Sequence, residues 1–332
     1  MILLALYFWL QLAIEDSLGF LNSHLNEEGA VILNGDERFK VWENANILYA
    51  LSLEGDLSNP LIDKVSHYLL TKGRKRSGAF SYKECPDCSN CIETSSVAYI
   101  ALKNTGKIKE LEDKRDNRYL YSRLPSSGKW QLEYLKEDEP YFPSATGFGM
   151  AVASRLLPLN QEVKSSLEKS FSFLVQAQNK SGDWGISDNY YGSYFYGIYA
   201  VLWGLSQPIG LKENEKEEEL LKISLFDRAL DFVIERQTQK GNFIGDNENT
   251  GSPFKISPEL HTALALNALL LKPRIKDSWA ILKGIYWLLK RQTSEGSWKG
   301  GIYPYKETKK EDLYATASAL SALIAFKSLL FL

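Results

Sequence analysis

Apolar positions along the chain fall into two alternating kinds of segment. Stretches such as Ser224 to Arg236 place apolar residues three and four apart with charges between them, the pattern of a helix buried on one face. Between such stretches lie segments rich in Ala and Leu and apolar nearly all round: Asn44 to Leu53, Thr94 to Leu102, Ala145 to Leu157, Tyr196 to Leu205, Leu260 to Leu271 and Leu313 to Ile324. A helix of that kind is buried on every side. The alternation predicts an inner set of six fully buried helices surrounded by amphipathic ones.

The junctions between the two kinds of segment repeat. Lys283-Gly284, Trp287-Leu288, Gln292, Gly296 and Trp298 recur at identical spacing as Arg228-Ala229, Phe232-Val233, Gln237, Gly241 and Phe243, and as Lys169-Ser170, Phe173-Leu174, Gln178, Gly182 and Trp184. Weaker copies center on Gly128, Gly78 and Gly29, so that six glycines fall about 50 residues apart, the scale of a two-helix repeat. A Gly after a helix end takes positive φ without penalty. The aromatic residue two places on can then pack back on the helix, and the Gln can bond loop backbone across the junction. The whole chain, 1–332, reads as a single α/α toroid domain of six helix pairs.

Composition narrows the function. With 39 basic and 41 acidic residues the formal charge is -2, which gives no field to attract a polyanion and argues against nucleic-acid binding. No apolar run in the sequence reads as the roughly 18 residues a bilayer span needs, and Met1 to Ile14 reads as a first helix rather than a signal peptide. Cys85, Cys88 and Cys91 lie within seven residues, too tight for a disulfide framework, which favors a cytoplasmic location.

Lys283 to Trp298 matches K/R-G-x2-F/Y/W-L-x3-Q-x3-G-x-W at every position, and on this motif the chain resembles the terpenoid cyclase and protein prenyltransferase superfamily, as a divergent member with a single toroid. The resemblance implies an all-α fold, an (α/α)6 toroid of six inner and six outer helices, with a central cavity that holds an isoprenoid or other apolar small molecule. In proton-initiated cyclases the acid sits in D-x-D-D-T-A at the start of an inner helix. Cys91-Ile92-Glu93-Thr94-Ser95-Ser96 falls in that place, so Glu93 matches the central Asp, while Cys91 and Thr94 replace its acidic flanks.

Three constellations could line the cavity. Glu43, Glu93, Glu259 and Asp312 stand at the first turns of four inner segments, where a carboxylate either complements the helix dipole or, converging with others, has its pKa raised toward that of a general acid. Trp42, Tyr99, Phe148, Tyr191, Tyr194, Tyr196 and Trp203 supply π faces suited to a polyprenyl chain or a developing carbocation. Cys85-x2-Cys88-x2-Cys91 has soft-metal spacing and with His261 could complete a zinc site; the alternative is three reduced thiols in a loop. No cofactor other than zinc is suggested. The resemblance also allows a zinc-dependent prenyltransferase using Glu259 and His261, a kind that works with a separate partner subunit, and a non-catalytic toroid that binds a lipid or peptide. The leading expectation is an isomerase or lyase of the terpene cyclase kind, with Glu93 as general acid.

Overall fold

The computed structural model describes residues 2–108, 114–132, 142–185, 193–207, 215–245, 255–300, 302–303 and 309–330. Among them the helices run α1 (Ile2–Ser23), α2 (Lys40–Ser52), α3 (Pro60–Tyr68, continued by a π turn at Leu69–Gly73), α4 (Ile92–Asn104), α5 (Lys114–Ser122), α6 (Pro143–Leu156), α7 (Gln161–Ala177), α8 (Tyr194–Leu205), α9 (Glu215–Glu235), α10 (Pro258–Leu271), α11 (Ser278–Arg291) and α12 (Leu313–Leu329). The even-numbered helices pack side by side in the order α2, α4, α6, α8, α10, α12 and back to α2. Odd-numbered helices lie outside them: α3 on α2, α7 on α6, α9 on α8 and α10, and α11 on α10 and α12, with α1 against α11 and α12. The fold is an all-α toroid.

The helix starts are written locally. Pro60, Pro143 and Pro258 occupy first turns, where their missing N–H costs nothing. Asn59, Asn160, Ser257 and Asp312 each accept a first-turn backbone N–H, at 2.8 to 3.1 Å. Cys91 does the same for α4 through Sγ, which accepts from Thr94 N at 3.5 Å.

The repeated Gln, Gly and aromatic residues hold one repeat to the next. Gln178 Nε2 donates to Gly182 O and Leu225 O, Gln237 Nε2 to Gly241 O and Ala280 O, and Gln292 Nε2 to Gly296 O and Ala13 O. Each Gln thus ties its own loop to the following outer helix, and Gln292 ties the sixth repeat to the first. Gly241 has φ +100, and a Cβ there would sit 2.6 Å from Lys283 O of the next outer helix. Its lack of a side chain serves both the turn and the close approach. Trp184 and Trp298 pack back on their own helices, donating from Nε1 to Leu174 O at 2.8 Å and Leu288 O at 2.9 Å.

Two sequence expectations change. α1 continues past Ile14 to Ser23, and its segment Leu4–Ser23 is long and apolar enough, by length and composition alone, to cross a membrane. Glu15 and Asp16 interrupt the apolar run without lowering its mean hydropathy enough to exclude it. The buried side of this helix, Leu10, Ala13, Ile14, Ser17, Phe20 and Leu21, closes the ring. The thiols also differ from the reading above: Cys85 and Cys88 are joined in a disulfide, with Cα atoms 5.4 Å apart.

α2 carries Trp42, Asn46 and Tyr49 at i, i+4 and i+7, and these keep accessible surface while the residues around them are buried. With α4 and α12 on its flanks and α3 behind it, the remaining side of α2 faces the bore of the inner ring.

Candidate active site

In five of the six inner helices a polar side chain on the second turn sets the rotation of the helix about its axis, whereas α8 carries Ile198 at that place. In those five repeats the polar side chain accepts the backbone N–H at the repeat's aromatic position: Asn44 from Val31 (2.8 Å), Ser95 from Phe80 (2.9 Å), Thr146 from Trp130 (3.3 Å), Thr262 from Phe243 (3.1 Å) and Thr316 from Trp298 (3.1 Å). Two positions before these stand Trp42, Glu93, Ser144, Leu260 and Tyr314. Tyr196 holds the matching place in α8, three residues after its cap Ser193, as Leu260 is three after Ser257. One residue from each repeat therefore forms a six-membered belt around the bore. Contacts across it agree: the Trp42 and Tyr314 ring centroids are 5.3 Å apart, and Glu93 is bonded by both Ser144 and Tyr196.

Glu93 is the one acid in this belt. It is 6% exposed, its Oε1 accepts from Ser144 Oγ at 3.0 Å and its Oε2 accepts from Tyr196 Oη at 2.8 Å. Burial pushes its pKa up to about 7, and the two donated hydrogen bonds, which favor the charged form, offset part of that rise. The carboxyl therefore carries its proton over much of the neutral range. Tyr314 is near enough that the Glu93 carboxylate adds to burial in driving its hydroxyl pKa upward. Cys91, two residues before it, is buried, and its thiol is pushed up to about 12 by burial and then by Glu93, so it stays protonated.

The other predicted acids are buried but rotated off the belt. Glu43 follows Trp42 by one residue and lies near Arg38; Glu259 precedes Leu260 by one and accepts from Arg291 Nε at 2.9 Å and Nη2 at 2.6 Å; Asp312 is the cap of α12. Each residue turns a helix by about 100°, so these small offsets send the carboxylates elsewhere. Mutual repulsion of four converging acids is not what raises Glu93: desolvation is, and no carboxylate contributes.

The aromatic residues form a continuous wall running from the acid into the bore. From Trp42 it passes to Phe148 (6.3 Å between centroids), then to Tyr196 (6.2 Å) and Trp203 (5.5 Å), and on to Tyr49 (5.4 Å) and Tyr199 (6.4 Å, stacked). At the far end burial raises the pKa of the Tyr49 and Tyr199 hydroxyls, so both stay neutral phenols. Trp42, Phe148, Tyr196 and Trp203 thus stand together. Tyr99 does not join them, for its hydroxyl donates to Gly78 O and its ring packs on Phe80 at 5.2 Å. Tyr194 turns outward, against Phe232 at 5.1 Å and beneath the Arg236 guanidinium. Tyr191 lies outside the described residues. Ser144 and Tyr314 were missed from sequence, although counting two back from the second-turn hydroxyl would have found both.

The zinc site is not assembled. Cys85 and Cys88 bond to each other, Cys91 caps α4, and the His261 ring lies edge-on to Phe195 at 6.0 Å. Among the described residues no three His, Cys, Asp or Glu side chains converge as metal ligands.

Residues 143–307 match the squalene-hopene cyclase C-terminal domain. A variant of the type II terpene cyclase MstE from Scytonema, in complex with its substrate geranylgeranyl dihydroxybenzoate, superposes with TM-score 0.70 at 16% identity, covering 97% of this chain and 99% of that one. The match over residues 143–307 and the shared fold make the chain similar to terpenoid cyclases. Ent-copalyl diphosphate synthase from Streptomyces platensis also matches, with TM-score 0.62 and 14% identity over 86% of this chain and 50% of that one. A possible member of the GH105 family from Salmonella enterica reaches TM-score 0.62 at 15% identity over 96% of this chain and 94% of that one, so the toroid alone does not fix chemistry. No curated protein sequence matches the chain.

Proposed function

We propose that this protein is a terpene cyclase of the proton-initiated kind, with Glu93 as the general acid. The observation that carries the reading is one buried carboxyl, with its pKa raised to about 7, set in a belt that opens on a wall of aromatic faces. In this reading Glu93 gives its proton to a terminal alkene or epoxide of a polyprenyl substrate. With an alkene the π electrons form the new C–H bond; with an epoxide an oxygen lone pair takes the proton and the C–O bond breaks with its electrons going to oxygen. In both cases the carbocation left behind is captured by the next double bond. The faces of Trp42, Phe148 and Trp203 stabilize the migrating positive charge, and the apolar walls keep water from it. Loss of a proton from the final cation ends the sequence and yields an isomer of the substrate. Ser144 and Tyr196 hold the carboxyl and stabilize the carboxylate formed at the first step.

The prenyltransferase reading loses support because Glu259 is engaged by Arg291 and the candidate ligands are dispersed. The test is turnover of geranylgeranyl dihydroxybenzoate, the substrate bound by MstE, followed by chromatography for a product of equal mass and different retention. Cyclization by the wild type and none by Glu93→Gln is the expected pair of results. A Glu93→Gln enzyme that still cyclizes would exclude the assignment.

A further inference from the structure

The loop of residues 81–91, which leads into α4, is tied to two members of the belt. Near its start Tyr82 O accepts from the backbone N–H of Trp42 at 3.2 Å, and at its end Cys91 caps the helix that carries Glu93. Side chains fasten the same loop to its surroundings. Buried Lys40, two residues before Trp42, pairs with Glu84 at 3.0 Å, the Tyr68 hydroxyl donates to Glu84 Oε2 at 3.3 Å, and Lys75 Nζ donates to Cys88 O. Between Glu84 and Cys88 the loop is closed on itself by the Cys85–Cys88 disulfide.

This bridge contributes little to the fold as a whole. Its cysteines are three positions apart, so it removes little entropy from the unfolded chain. Both are half-buried and the Pro86-Asp87 turn between them is exposed, which leaves the sulfurs within reach of a thiolate from outside. The third cysteine is set apart from the pair. Cys91 is buried and its Sγ is occupied as the α4 cap, and burial keeps the thiol protonated, so it is no nucleophile toward the bridge.

We propose that Cys85 and Cys88 form a reversible redox site, and that its reduction by a dithiol loosens residues 81–91 over the Trp42 and Glu93 edge of the belt. A thiolate of the dithiol attacks one bridge sulfur, and the S–S bond breaks with its electron pair going to the other cysteine, which takes a proton. The second thiol of the dithiol, having lost its proton, attacks the mixed disulfide and releases the first cysteine, which is protonated in turn. The protein gains two electrons and two protons, and the dithiol ends as a disulfide. The proposal stands on the placement of this loop and does not rest on the cyclase reading.

The test is hydrogen exchange followed by mass spectrometry on the full-length protein, air-oxidized or treated with dithiothreitol, with thiols counted by maleimide labeling. Without denaturant, reduction should make two thiols available, and Cys91 should label only after unfolding. Exchange should quicken by about tenfold or more in peptides covering Trp42 and residues 81–91, while the distant junction at Gln237 and Gly241 stays unchanged. The Cys85→Ser/Cys88→Ser variant should exchange at the faster rate with or without dithiothreitol. Three free thiols in the air-oxidized protein, a bridge that yields to dithiothreitol only in denaturant, or equal exchange in the oxidized and reduced protein would overturn the proposal.

Discussion

Replacing Glu93 by Gln separates a catalytic proton from a structural group, because the two roles respond to pH in opposite ways. A free glutamate titrates near 4.5 and the folded one near 7. Between these values the folded state holds more protons than the unfolded state, so stability falls as pH rises through this window and levels off above about 7. At about 1.4 kcal/mol per unit, the buried charge costs about 3 kcal/mol at pH 8. Gln keeps the shape and can still meet Ser144 and Tyr196, but it carries no charge. Denaturant titrations at pH 5 and pH 8 should therefore show wild-type stability dropping by up to that amount, whereas Glu93→Gln stays level and is the more stable protein at pH 8. Cyclization should be absent in the variant at both pH values, and in the wild type should fall about tenfold per unit above pH 7. Equal pH dependence of stability in the two proteins would refute the buried-acid argument even if activity were lost.

Tyr196→Phe removes a hydrogen bond that favors ionized Glu93, so the alkaline fall in rate should move up by roughly one unit in a pH–rate profile. Trp42→Leu keeps bulk but removes a π face, and single-turnover kinetics should show cyclization slowed by about 3- to 30-fold, with partly cyclized products appearing. Gly241→Ala places a methyl against Lys283 O in a left-handed conformation and should cost about 1–3 kcal/mol in a denaturant melt. Gln237→Ala loses the bonds to Gly241 O and Ala280 O and should cost a similar amount, with both proteins retaining toroid circular dichroism.

The architecture was legible because it is periodic. The Gln, Gly and aromatic spacing predicted the junctions, and each Gln makes the cross-repeat bond that spacing suggested. The site was legible only where periodicity sufficed. Glu93 could be picked out by its place in its repeat, but Glu43, Glu259 and Asp312 look alike in sequence and differ by one or more residues in register. A one-residue offset is invisible when loops of unequal length precede each helix, yet it turns a side chain by about 100°. What fixes the register is an N–H received by Asn44, Ser95, Thr146, Thr262 or Thr316, residues that in sequence look like ordinary small polar positions. Tyr99 and Tyr194 misled for the same reason: aromatic residues fill both the bore and the seams between layers.

The bond from Gln292 to Ala13 spans 279 residues, and it has a consequence for how the protein is made. A ribosome releases the first outer helix long before its final neighbor exists, so the growing chain is an open arc whose leading helix has an uncovered flank. Closure is a late, single event with a high entropic barrier, and until it happens Leu10, Ile14 and Leu21 lack the neighbors that bury them. A circular permutant cut elsewhere would move that vulnerable seam, and its refolding rate would report how much of the folding barrier lies in joining the ends.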